Sequence, residues 1–172
     1  MMTSPWLRLA EEPIRGYGSA YLRGLKEARG AYFFMADADG TYDFTALPQF
    51  IERLKRGADM VIGDRFANGM AKGIMPWSHR YIGNPVLSGI TRLFFKIKIH
   101  DIHCGARAMS RDAFQNIELY TTGMEFASEM IIKAAKAHLR IEETPITYSP
   151  CIGESKLNSF EDGSWNLRFM LY

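Results

Sequence analysis

Two rhythms of apolar and polar positions run along the chain. Residues 19–30, "SAYLRGLKEARG", place Ala20, Leu22, Leu25 and Ala28 close to helical spacing, with Gly30 as a stop. Residues 31–36, "AYFFMA", form a short unbroken apolar run, the pattern of a strand buried on both faces. A second helix is expected over 45–57, with Thr45 as its N-cap and Gly57 as its stop. A second buried strand is expected over 59–65, "DMVIGDR". A Gly-rich loop (66–76) then leads into an amphipathic helix over 77–99, interrupted by Gly83 and Pro85. Residues 105–114 read as a short strand running into a short helix. Residues 122–139 read as a helix and 140–149 as a strand bent near Pro145. A loop over 152–163 and a terminal helix from about Asp162 complete the pattern.

Strand–helix alternation with doubly buried strands predicts an α/β fold built on a parallel sheet. Such sheets bind ligands outside the carboxyl ends of their strands. The first apolar run ends there in "DADG", and residues i and i+2 of an extended segment point the same way. Asp37 and Asp39 can therefore reach one site. Two carboxylates that close need a cation, a shared proton or solvent. A hard divalent cation with substrate phosphates is one reading. A solvated Asp-Gly turn is the other, and for D-x-D alone the two weigh about equally.

Composition narrows the class. With 172 residues the chain is long enough for one domain with a core. A net charge of +2 gives no sign of a nucleic-acid partner. Cys104 and Cys151 lie far apart with no secretory signal before them, so reduced thiols are expected. No stretch reaches the ~20 apolar residues of a membrane span. The last residues, "WNLRFMLY", read as an apolar helix without a cap, as in a chain cut short. His100, His103 and Cys104 raise the thought of zinc, but no second ligand pair follows at a zinc spacing.

The ordered blocks say more than any single motif. "GYGSAYLRGLKEARGAYFFMADADGTYDF" is followed by "ADMVIGDR", "DIHCGARAMSRDAF", "MEFASEMIIKAAKAHLRIEETPITYS" and "GESKLNSFEDG". Together they resemble family 2 glycosyltransferases of the GT-A fold, and more closely the dolichyl- or polyprenyl-phosphate sugar synthases. The resemblance runs over roughly residues 16 to 172. It departs at two points. The first nucleotide-binding strands of the family have no counterpart in "MMTSPWLRLAEEPIR", and Cys151 stands where an arginine is expected.

The resemblance implies a partial Rossmann-like nucleotide-diphospho-sugar transferase fold, with a mostly parallel sheet and helices on both faces. Residues 1–172 would be one catalytic domain lacking its first nucleotide-binding strands, with 161–172 starting a juxtamembrane helix. The implied activity is hexose transfer from UDP-glucose or GDP-mannose to a polyprenyl or dolichyl phosphate. The alternatives are a family 2 enzyme with a polysaccharide or soluble acceptor, and a non-catalytic sugar-nucleotide-binding module. The implied place is the cytoplasmic face of the cell membrane, peripheral or anchored by further helices, with a homo-oligomer as a possible state.

Implied roles follow by residue. Asp37 and Asp39 would hold Mg²⁺ or Mn²⁺ on the donor diphosphate. Gly16 and Gly18 would belong to the turn before the first helix. Arg65 would face phosphate, the alternative being a surface ion pair with Asp64 or Asp59. Arg80 would meet the lipid phosphate, the alternative being a snorkelling surface arginine. Asp101 would be a base or an orienting carboxylate, and Arg107 an acceptor-phosphate ligand. Glu129, or alternatively Glu125, would be the acidic residue beside the sugar. The alternative for Glu129 is a solvated helix stripe in which it pairs with Lys133. Ser155 and Lys156 would close on the diphosphate from a flexible loop.

Overall fold

The computed structural model describes residues 8–70, 74, 75, 77 and 79–151. Four strands form one sheet: β1 (Tyr32–Met35), β2 (Met60–Asp64), β3 (Arg107–Ser110) and β4 (Ile141–Pro145), in the order β1-β3-β2-β4. β3 runs antiparallel to both β1 and β2, and β4 runs parallel to β2. Three of the four strands point the same way, but two of the three pairings are antiparallel, so the α/β sheet is mixed rather than mostly parallel. The reversed β3 between them is not readable from the sequence pattern, because an apolar run carries no direction.

The reversal brings a further segment to the binding edge. Arg107, the first residue of β3, lies opposite Met35, the last residue of β1, and Ile62, the middle residue of β2. The segment entering β3 thus arrives at the same sheet edge that β1, β2 and β4 leave.

Helices cover both faces. Phe33 and Phe34 point to opposite sides of β1. Phe34 meets Phe50 of α2 (Leu47–Lys55) at 5.2 Å between ring centroids. Phe33 meets Phe114 of α4 (Arg111–Gln115) at 5.4 Å. Met60, Val61 and Ile62 are fully buried, as the apolar run of β2 predicts. Burying each such side chain stabilises the fold by about 1.5–3 kcal/mol.

The remaining helices are α1 (Tyr17–Glu27), α3 (Asn84–Phe95) and α5 (Phe126–Lys136). Thr45 does not cap α2. A short 3₁₀ turn, Phe44–Ala46, precedes it, and Asp43 accepts the Thr45 amide there at 2.9 Å. Gly57 stops that helix at φ +96°, a left-handed conformation that other residues adopt at a cost. The expected break near Gly83 and Pro85 is a π-helical turn, His79–Gly83, running into α3. Proline supplies no amide, so the regular helix restarts with Pro85 in its first turn. Among the described residues, no helix is long and apolar enough to cross a membrane.

Candidate active site

Four segments meet at the edge where β1, β2 and β4 end and β3 begins. They carry Asp37 and Asp39 after β1, Arg65 after β2, Asp101 to Arg107 at the entry to β3, and Tyr148 to Cys151 after β4. Tyr42 and Tyr148 form an isolated antiparallel bridge, and the Ser149 amide donates to the Thr41 carbonyl at 2.9 Å. The turn carrying the aspartates is thereby stitched to the segment beyond β4.

Asp37 is half-buried. Its Oδ1 accepts the Tyr21 hydroxyl at 2.9 Å. Its Oδ2 lies so near Gly105 that a Cβ there would sit 2.6 Å away, so a side chain at that position would displace the carboxylate. The Gly105 amide donates to the Tyr42 hydroxyl at 2.8 Å. Burial pushes the Asp37 carboxyl above its ordinary range, and the charge of Asp39 adds to this against opposing pulls from Tyr21, Arg107 and Arg65. Burial works against ionising Asp39 as well. There the Thr41 hydroxyl (2.6 Å), the Thr41 amide (3.0 Å) and the Cys151 thiol outweigh it and lower the carboxyl's pKa. Two carboxylates that oppose each other's charge, one pressed into the protein, make an oxygen-rich donor set. That set fits a hard divalent cation such as Mg²⁺ or Mn²⁺.

Arg65 is buried and pairs with neither Asp64 nor Asp59. Its guanidinium forms a fork with fully buried Asp101, Nε to Oδ2 at 2.6 Å and Nη2 to Oδ1 at 2.7 Å. It lies 5.1 Å from the Tyr148 ring centroid. Burial disfavours its charge, yet Asp101 overcomes this and holds the group firmly protonated. Both oxygens of Asp101 are thus committed to Arg65. Asp101 is held in turn by Glu143, whose Oε1 accepts the amides of His100 (2.6 Å) and Asp101 (3.0 Å).

Glu143 also meets the His100 ring, and Asp64, His100 and Glu143 offer ligand atoms within 4.8 Å of one another. A cation could be held there. In the structure the Glu143 carboxylate is occupied by His100 and Asp101, and Asp64 accepts the Phe66 and Ala67 amides.

Arg107, expected as a phosphate ligand, turns inward instead. It is 3% exposed and donates to the carbonyls of Cys104 (2.7 Å), Ala127 (2.6 Å) and Ile102 (2.7 Å). An arginine spent on three carbonyls ties the loop before β3 to the start of α5. Glu129 is not part of a solvated stripe, for it is 1% exposed. Its carboxylate accepts the Tyr120 amide, the Thr121 amide (2.9 Å) and the Thr121 hydroxyl (2.6 Å), and pairs with Lys133 at 2.8 Å. Burial opposes its ionisation, and these contacts outweigh it, lowering its pKa. Glu125 accepts the Gly123 amide at 3.2 Å.

Arg80 stands on the π-helical turn, 5.4 Å from the Tyr81 ring centroid, rather than in any of the four segments that meet at the edge. Ser155, Lys156 and the helix expected over 161–172 lie outside the described residues. Both cysteines are free, Cys104 buried and Cys151 exposed.

Comparison with known proteins decides the family. The family model for glycosyl transferase family 2 matches residues 6–118. The chain belongs to glycosyltransferase family 2. It is 46% identical over 158 residues to the low-salt glycan biosynthesis hexosyltransferase Agl6 of Haloferax volcanii, covering 91% of this chain and 38% of that protein. It is 31% identical over 157 residues to the dolichyl-phosphate hexose transferase of the same organism, covering 91% of this chain and 67% of the relative. It is 31% identical over 145 residues to the dolichol-phosphate mannosyltransferase of Pyrococcus furiosus, covering 83% of this chain and 41% of the relative. The chain thus spans well under half of Agl6. Among solved structures, glucosyl-3-phosphoglycerate synthase from Mycobacterium tuberculosis, in complex with Mn²⁺, UDP-glucose and phosphoglyceric acid, superposes with TM-score 0.68. At 16% identity, over 92% of this chain and 55% of that one, the likeness is one of fold, and the fold is GT-A.

Sequence reasoning missed Tyr21, Tyr42, Tyr148 and Glu143. Tyr21 and Tyr42 flank the D-x-D stretch, but nothing in an aromatic's spacing reveals which carboxylate its hydroxyl reaches. Glu143 was hidden in a strand, where an acidic residue reads as solvent-facing.

Proposed function

We propose that this family 2 chain carries the cation and acceptor side of a catalytic domain that moves a hexose from a nucleotide sugar to a polyprenyl or dolichyl phosphate at a membrane surface. The observation that carries this reading is the meeting of Asp37 and Asp39 with the Asp101–Arg107 segment and Arg65 at one sheet edge. Relatives named for dolichyl-phosphate hexose and dolichol-phosphate mannose transfer support the acceptor.

In this reading Asp37 and Asp39 hold Mg²⁺ or Mn²⁺, which when bound supplies positive charge to the leaving diphosphate. Ser155 and Lys156 would close on the same diphosphate. Arg65 is kept charged and oriented by Asp101; the closed pair has no net charge, so Arg65 contributes a fixed dipole at the low-dielectric wall of the site. Asp101 serves as the orienting carboxylate, since a phosphate acceptor is already an anion and needs little help from a base. Glu129 and Arg107 act on the protein, holding loops in place.

The membrane surface is read from α3 and the turn before it. Trp77, Tyr81, Val86, Leu93 and Phe94 are exposed there. Residues 66–100 contain no aspartate or glutamate, while Arg80, Arg92, Lys96 and Lys98 lie among the apolar side chains. Apolar residues interleaved with cations suit an anionic lipid surface, with Arg80 near the acceptor phosphate. The cytoplasmic leaflet, rich in anionic lipid, is the expected side.

The test is transfer of labelled hexose from UDP-glucose or GDP-mannose, with Mn²⁺, to polyprenyl phosphate in vesicles, using the full-length protein. Glycolipid that forms only with cation and lipid phosphate supports the reading. Transfer to a water-soluble acceptor alone would overturn the lipid assignment.

A further inference from the structure

A chain of contacts begins at Glu129 and ends at Asp37. The Glu129 carboxylate gathers the amides of Tyr120 and Thr121 and so sets the path of residues 120–123. That loop then holds the start of α1. Gly18 donates its amide to the Gly123 carbonyl at 3.2 Å, and Ser19 donates to the Thr122 carbonyl at 3.1 Å. The approach is too close for any side chain, because a Cβ at Gly16 would meet the Thr122 oxygen at 2.2 Å and one at Gly18 the Thr121 oxygen at 2.2 Å. The glycines thus admit a carbonyl pair against the first turn of α1.

One turn on, Tyr21 lies stacked on Phe126, with centroids 5.8 Å apart and planes 6° from parallel. Tyr17 packs edge-on against it at 4.7 Å. A ring held on two sides has little freedom left, and its hydroxyl is aimed at Asp37 Oδ1. We propose that Tyr21 is a positioning residue for Asp37, held in register by Glu129 through the 120–123 loop and the glycine turn of α1. This rests on the reading of Asp37 and Asp39 as cation ligands. The hydroxyl fixes the rotation of the carboxylate and leaves lone pairs for the ion, the part that outer partners of metal ligands play.

Tyr21→Phe keeps the ring, its stacking and the core volume and removes one hydroxyl. A purely structural Tyr21 would tolerate that change at the cation site. The experiment titrates Mn²⁺ alone into the protein and follows the free-ion signal by electron paramagnetic resonance, for wild type, Tyr21→Phe and Asp39→Asn, with thermal midpoints measured beside it. Tyr21→Phe is expected to weaken Mn²⁺ about tenfold, the usual loss for an outer-partner change, with little change in midpoint. Glu129→Gln, at the far end of the chain of contacts, should weaken Mn²⁺ by a smaller factor. If Asp39→Asn abolishes binding and Tyr21→Phe leaves it at the wild-type value, the positioning role is overturned while the cation reading stands. If wild type binds no Mn²⁺, both fall.

Discussion

Asp37 and Glu129 are both acidic side chains withdrawn from water, yet the protein treats them in opposite ways. Glu129 is surrounded by an ammonium, two amides and a hydroxyl, and its pKa is pulled down. Asp37 receives one hydroxyl and faces a second carboxylate, and its pKa is pushed up. The first is a charge the fold has satisfied for its own sake. The second is a charge the fold leaves only partly satisfied, as the proposed cation site would require. Glu129 is the more deeply buried of the two, yet it is the one whose charge is favoured, so the partners rather than burial decide the sign.

The sharpest way to break this contrast is at Asp39. Asp39→Asn should cut Mn²⁺ affinity by roughly a hundredfold, given the charge lost from the site, while the thermal midpoint stays near wild type. Mn²⁺ titration beside a melting curve checks both halves. The other half of the contrast is broken by Glu129→Ala. Lys133 is a quarter exposed and can turn to water, so the cost comes from the Tyr120 and Thr121 amides, which lose their acceptor at about 1–3 kcal/mol each. Denaturant unfolding should show that loss.

Arg107→Ala should behave like Glu129→Ala rather than like a phosphate-site variant. Three buried carbonyls lose their donors, at about 1–3 kcal/mol each before relaxation. A variant of wild-type stability with selectively weakened acceptor use would restore the phosphate-ligand role to Arg107.

Asp37→Asn should do the reverse of Glu129→Ala. Because the folded state disfavours the Asp37 charge, the neutral isostere should raise the midpoint without metal. Added Mn²⁺ should then stabilise wild type and not the variant. The smallest effect is in pH. Glu129 has a lowered folded pKa, so its contribution is full above the ordinary glutamate value of about 4.3 and is lost as pH falls through the folded value. Asp37 has a raised folded pKa, so its cost is present at neutral pH and fades as pH falls through that value. The stability gap between wild type and Glu129→Gln should therefore close in acid, and so should the opposite gap for Asp37→Asn. A gap that widens in acid would contradict the assignment of either group.

Much of the architecture was legible in the chain. The apolar runs at 32–35 and 60–64 became strands near the places where they stand, since continuous burial on two faces leaves little choice. D-x-D at a strand's carboxyl end placed the carboxylates at the sheet edge where the four segments meet. The direction of β3 and the fates of Arg107 and Glu129 were not legible. A family-like Gly-x-Arg fixes which residue is present but not whether its fork faces a ligand or three carbonyls. A helical wheel put Glu129 in line with Lys133, yet the loop over that face removed it from water. Long-range burial, absent from local pattern, decided both.

The strand order has a consequence for how the protein is made. β1 pairs only with β3 among the described strands, Tyr32 facing Ser110, so its partner is translated 110 − 32 = 78 residues later. At ~5–20 residues per second, that is roughly 4–16 s of synthesis. During that interval the segment "YFFM" lacks this strand partner, with α1 and α2 at hand to cover it, and its open edge is exposed to wrong pairings. The two aspartates just behind it bring charge to an otherwise sticky stretch, so the residues proposed to hold the cation are also placed as gatekeepers against aggregation.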